Sequence, residues 1–269
     1  MPFTVSHIAA VLPLVRRRRG LVTATDGDGD DRPAALVPSA LAIGAMVPDF
    51  PALLPLGIPR DLAHSLLGAV TADLGLAVVL FAVWALVFRA ALYDYAPGWL
   101  HSRMLPRIRW WSGSVVTSAL LVVAAIAIGI ATHLFVDSLT HEGWLTALLP
   151  ALLDSVAGYP LVVWLHLLLS VVGLAILAGW IALWVRSTPA STGSVRFVGD
   201  RERSVLTRLV VGLLAALALG VWFAGISAGI PAVDESLLFI AVTVSTGIAG
   251  AVAALVCVVW HVRVWRKRH

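Results

Sequence analysis

Long apolar runs separated by short polar stretches set the pattern of this chain. A helix that spans a bilayer needs about 20 mostly apolar residues at 1.5 Å rise each. Five runs meet that plainly: Leu66–Phe88, Val115–Val136, Leu161–Val185, Val205–Gly229 and Leu237–Val259. A sixth, Ala34–Leu56, is long enough but contains Pro38, Pro48, Pro51 and the charged Asp49. Proline removes a helix hydrogen bond and crowds the preceding turn, so a spanning but broken helix is expected there. The run Met1–Val15 reaches roughly 22 Å if fully helical, enough to span with help from its neighbours or to form a re-entrant half-helix. The pattern predicts an all-α polytopic membrane bundle of six to seven segments. It divides into a helical domain over 1–185, a cytoplasmic Ser/Thr/Gly-rich linker over 186–204, and a helix pair with a basic tail over 205–269.

Composition sharpens this picture. The chain is 60% hydrophobic and only 13% charged, with a mean hydropathy of +0.95. A soluble domain runs at about 45–50% apolar and about 25% charged, so that class is excluded. Cys257 is the single cysteine, which excludes a disulfide scaffold and leaves the redox compartment open. Threading the segments alternately, with Arg16–Arg19 in the cytoplasm, leaves only Arg60 outside among the 19 basic residues. That bias is the positive-inside pattern. It predicts a multi-pass protein of the cytoplasmic membrane with its N-terminus outside and its C-terminus in the cytoplasm. The net charge of +4 comes from those loops, so no nucleic-acid partner is expected. The N-terminal run has no positive region before it and no small-residue cleavage motif, so it is expected to be retained.

Ionisable groups within membrane helices are costly, and each asks for a reason. In this threading His7, Asp49, His64, His133, Asp137 and His141 fall at or near the outer face, from four segments. His133, Asp137 and His141 repeat every four residues and so share one helix face. Adjacent members stand about 6 Å apart along the axis, and the outer pair about 12 Å. That spacing favours Asp137 bridging two ions with a histidine on each, against the plainer reading of hydrogen-bonded polar caps. Asp49 suits either an oxygen ligand or a helix terminator, and His64 and His7 suit ligands or interfacial residues. Asp73, nine residues after His64, is expected about 180° round a straight helix and roughly 13 Å deeper, as a structural contact or a supporting partner. Two metal motifs are absent. His141-Glu142-Gly-Trp-Leu145 lacks the second histidine of H-E-x-x-H, and the acidic loop Thr25–Pro33 has Asp31 and Val37 where a calcium loop needs Gly and Glu.

The combination Met1-Pro-Phe-Thr-Val-Ser6-His7, Met46-Val-Pro48-Asp49-Phe, His64-Ser65 and Thr132-His133-x3-Asp137-x2-Thr140-His141 resembles a bacterial membrane family, domain of unknown function 4184, over residues 1 to about 185. That family is similar to membrane-bound metal-dependent hydrolases of the bacterial inner membrane. More remotely, its ligand order is similar to zinc-dependent phospholipase C and the S1/P1-type nucleases. The resemblance implies His7, Asp49, His64, His133, Asp137 and His141 as metal ligands, with zinc as the cofactor. Two ions are expected more readily than three, because Ser170 stands where the last H-x3-[DE] pair, starting at His166, would put a carboxylate. The function expected is a zinc-dependent hydrolase at the outer face, acting on a phosphoester or lipid-linked substrate, with Asp137 bridging and Arg60 holding a phosphate oxygen. A non-catalytic assembly protein and a metal-ion or solute transporter are the alternatives.

Overall fold

The computed structural model describes residues 4–15, 36–54, 56–104, 114–141, 143–190, 196–230 and 235–268. The Arg16–Arg19 run and the Thr25–Pro33 loop lie outside the described residues. We label ten helices: α1 Thr4–Leu14, α2 Val37–Leu53, α3 Arg60–Ala63, α4 Leu66–Tyr95, α5 Gly98–His101, α6 Val115–Ser138, α7 Trp144–Leu148, α8 Leu161–Ser187, α9 Asp200–Ser227 and α10 Glu235–Arg268. One two-stranded hairpin, Ser155–Val156 with Tyr159–Pro160, precedes α8. Ala157 and Gly158 both take positive φ in its turn.

Five helices are long and apolar enough to cross a membrane: α4, α6, α8, α9 and, within α10, the stretch Thr243–Lys267. Side chains such as Leu67, Leu120, Val171, Leu209 and Leu255 remain exposed on them, as a lipid-facing surface requires. The chain is a multi-pass helical membrane protein. The run α1 is short, and α2 is broken as its prolines dictate. Regular helix ends at Gly44, the chain turns at Ala45 and Met46, and Pro48 opens a 3₁₀ turn over Val47–Asp49. Helix α4 runs past the expected Phe88 to Tyr95 and contains two π-turns, Ala69–Asp73 and Trp84–Phe88. Helix α9 begins earlier than expected, where Asp200 and Glu202 favour its N-terminal dipole.

Two compact units are present. The first takes Met1–Pro51, Gly57–Phe81 and Arg107–Ala190, and the second takes Ala52–Leu56, Ala82–Pro106 and Ser191–His269, so α4 contributes to both. In the first unit α2 lies along α6 at a crossing of two glycines. A Cβ on Gly44 would collide with the Ile126 carbonyl, and one on Gly129 with the Leu41 carbonyl, so only glycine allows this approach at either position. Val11, Leu41, Val47, Ala77, Ile126 and Ile130 form the core around it. Gly173 of α8 gives a similarly close approach to Ser6, which seats α1 and the adjacent His7.

In the second unit α9 and α10 pair, and a core of Ala91, Val198, Cys257, Trp260 and Val264 forms against the end of α4. Its buried acid is Asp94. The Phe197 amide donates to Oδ1 at 3.0 Å and the Trp260 indole to Oδ2 at 2.7 Å. The His261 ring donates to the Val87 carbonyl, and Arg263 pairs with Glu202.

Candidate metal centre

The break in α2, the close α2–α6 crossing, the turn of α3 and the seating of α1 bring five residues together in the first unit. His133 sits on α6, fully buried. Its Nδ1 donates to the Ala45 carbonyl at 2.9 Å, at the point where α2 stops and its carbonyls are free. That bond leaves the Nε2 lone pair facing inward. His64 repeats the device: Nδ1 donates to the Arg60 carbonyl at 3.1 Å and Nε2 faces inward. A histidine anchored through Nδ1 to a carbonyl and free at Nε2 is the arrangement of a metal ligand.

Two carboxylates meet those nitrogens. Asp49 Oδ1 lies 3.6 Å from His64 Nε2 and 3.7 Å from His133 Nε2. Asp137 Oδ2 lies 3.5 Å from His64 Nε2. Donors about a tetrahedral zinc stand roughly 3.4 Å apart, given bonds of 2.0–2.1 Å, so these spacings are those of a ligand shell. His7 is buried and stacks on His133 with ring centroids 4.0 Å apart. Two triads have donor atoms all within 4.8 Å of one another: His7, Asp49 and His133, and His64, His133 and Asp137.

Hydrogen bonding within the chain does not satisfy this cluster. Both nitrogens of His7, both oxygens of Asp49, and Nε2 of His64 and of His133 are buried without a hydrogen-bond partner. Buried polar atoms are ordinarily paired, and orphans concentrated at one place are what a cation-binding cluster presents. Mixed imidazole and carboxylate donors at this spacing fit a divalent transition ion. Burial works against a charged His64 ring, but the Asp49 and Asp137 carboxylates outweigh it and hold its pKa above the ordinary 6.5.

The remaining candidates sit at the edge. His141 lies beyond the end of α6 at Ser138, so the straight-helix spacing does not apply to it. A turn folds it back, with Nδ1 3.0 Å from Asp137 Oδ1. It belongs to neither triad. Arg60 is half exposed, its guanidinium 3.7 Å from Asp137 Oδ2. His166, which has Ser170 in place of a carboxylate four residues on, meets the His141 ring edge-on at 5.7 Å. Both triads use His133, and its Nδ1 is occupied by Ala45. Only Nε2 of His133 is therefore left to face either triad, a relation that sequence spacing does not reveal. An apolar groove of about 680 Å³ lies elsewhere, in the second unit, lined by residues such as Leu206, Leu209, Val256 and Val259.

Fold and site together define a multi-pass helical membrane protein with a buried histidine–aspartate cluster. The chain matches the family described as Domain of unknown function (DUF4184) over residues 30–260 and belongs to it. The match continues through α9 and most of α10, beyond the residue 185 at which the sequence resemblance ends, and it begins after His7. No curated protein and no solved structure matches the chain.

Proposed function

We propose that this protein is a metal-dependent hydrolase acting on a phosphoester, lipid-linked or otherwise amphiphilic, at the outer face of the cytoplasmic membrane. One observation carries the reading: inward-facing, partnerless donor atoms of His7, Asp49, His64 and His133 converge on a space bordered by Asp137. Zinc is the ion we propose, and the single free nitrogen of His133 favours one primary ion over the two expected from helix spacing. When bound, such an ion supplies Lewis-acid polarisation of a phosphoryl oxygen and a more acidic water.

The chain's own residues divide the remaining work. Asp49 and Asp137 offset the positive charge, and the Ala45 and Arg60 carbonyls orient the rings of His133 and His64. Arg60, half exposed beside Asp137, is placed to hold a phosphate oxygen by charge-assisted bonds. His141 is tied through Nδ1 to Asp137 and keeps Nε2 to pass a proton to or from a substrate oxygen. Leu66, Leu67 and Val70 are exposed on the first turns of α4, just after His64. An apolar surface there favours a substrate already held in the lipid phase. The outer-face assignment rests on the arginine distribution.

The test is hydrolysis of a chromogenic phosphodiester by detergent-purified protein with zinc added. Wild type should turn over and Arg60→Ala should raise KM more than it lowers kcat. Equal rates in wild type and Asp137→Asn would contradict the reading.

A further inference from the structure

Asp73 belongs to neither triad, and the proposed chemistry does not use it. It ends the π-turn Ala69–Asp73 of α4, is 0% exposed, and neither carboxylate oxygen has a hydrogen-bond partner. Ala69, Leu74, Leu76 and Ala77 flank it on α4, and all four pack with the core that includes Leu41, Ala45 and Ile126. The carboxyl is therefore set in an apolar part of the bundle, within a helix long enough to span the membrane.

The expectation that Asp73 lies opposite His64 on one straight helix does not hold. His64 caps the separate turn α3, Ser65 starts α4 with its own cap, and the π-turn follows. An extra residue in a turn rotates what comes after by about 100°. The elements packed against this turn are α3, α6 and the Val47–Asp49 turn. They bring Asp49, Arg60, Asp61, His133 and Asp137, along with His64, and His64 is the one whose charge reaches Asp73. Among the described residues Asp73 belongs to no group of three or more histidines, cysteines or acids with donor atoms within 4.8 Å of one another, so a transition ion has no three-residue shell there.

A carboxylate in an apolar wall, with no hydrogen-bond donor on either oxygen, calls for a small cation of its own. We propose that Asp73 is a second cation site, separate from the metal centre, that takes an exchangeable monovalent cation: a proton or a sodium ion. Such a site gives the membrane interior of this protein an acid–base group outside the metal cluster, and π-turns are frequent at functional positions.

The experiment is carbodiimide labelling of the full chain in detergent, read by peptide mass spectrometry. An apolar reagent, N,N′-dicyclohexylcarbodiimide, reacts with a protonated buried acid. The acid proton passes to a carbodiimide nitrogen as the carboxyl oxygen bonds to the central carbon, and the adduct rearranges to an N-acylurea with nothing leaving. Asp73 should be labelled at least about tenfold faster than the exposed Asp154 and Asp200, and a water-soluble carbodiimide should reverse that order. Slower labelling in sodium chloride than in choline chloride at fixed pH identifies sodium as the occupant; equal rates identify the proton. The Asp73→Asn variant should lose this adduct and keep wild-type zinc content. Apolar labelling of Asp73 no faster than of Asp154 overturns the proposal, and so does loss of zinc in Asp73→Asn, which would merge the two sites.

Discussion

Asp94 in the second unit and Asp49 in the first are both buried acids, and they are treated in opposite ways. Asp94 receives a backbone amide and an indole N–H, one on each oxygen, from residues far along the chain. Asp49 faces two imidazole nitrogens at 3.6 and 3.7 Å, and neither of its oxygens is hydrogen-bonded. The same side chain serves first as a structural staple and then as part of a cluster left open to a cation. What separates the roles is the identity of the neighbours: N–H donors satisfy a carboxylate, whereas imidazole lone pairs turned inward do not. Burial alone carries no functional meaning here, and partner chemistry does.

Neutralising each acid should break the comparison most visibly. Asp94→Asn presents an NH2 group to one of two fixed donors, and the lost bond and buried mismatch should cost about 1–3 kcal/mol. Asp49→Asn removes a carboxylate that no hydrogen bond holds, so metal-free protein should lose less than about 1 kcal/mol or gain stability. Thermal unfolding of the two variants in chelator checks this. A larger loss for Asp49→Asn than for Asp94→Asn would mean that the first cluster is structural.

The smaller effects sharpen the account. The pKa of His64 is raised, so near pH 6.5 the ring still holds a proton that an incoming ion must displace. Metal affinity should therefore rise with pH through that raised value. Calorimetric titrations at about pH 6 and about pH 8 should differ by several-fold, and equal affinities would remove His64 from the shell. The His166 ring meets that of His141, itself at the rim. His166→Ala should change metal affinity by less than about threefold, because it acts at two removes from the ion. A loss as large as that from Asp137→Asn would place His166 in the centre.

Much of this was legible in the sequence. Runs of 20 or more apolar residues mark the spans because length and hydropathy alone decide whether a helix can cross a bilayer. Pro48 marks the break in α2 for an equally local reason. Histidines and acids stand out against so apolar a background, so His7, Asp49, His64, His133 and Asp137 could be singled out one by one. Relations between elements could not be read this way. The α3 turn packs on the Val47–Asp49 turn, and the π-turn on that turn and on α6; together they undo the straight-helix estimate for Asp73. The fold-back of His141 needs the end of α6 at Ser138. The Ala45 carbonyl that leaves His133 with one free nitrogen belongs to a backbone position 88 residues away. Asp94 carried no signal at all, because its partners Phe197 and Trp260 lie 103 and 166 residues on.

The central claim is that the first unit's open cluster binds a divalent ion and the second unit's closed one does not. Metal content per chain, measured by elemental mass spectrometry after zinc loading and desalting, tests it directly on wild type, Asp137→Asn and Asp94→Asn. The account predicts about one zinc per chain in wild type and in Asp94→Asn, and loss of affinity by more than about 100-fold in Asp137→Asn. Zinc bound equally by all three proteins, or by none, would contradict it.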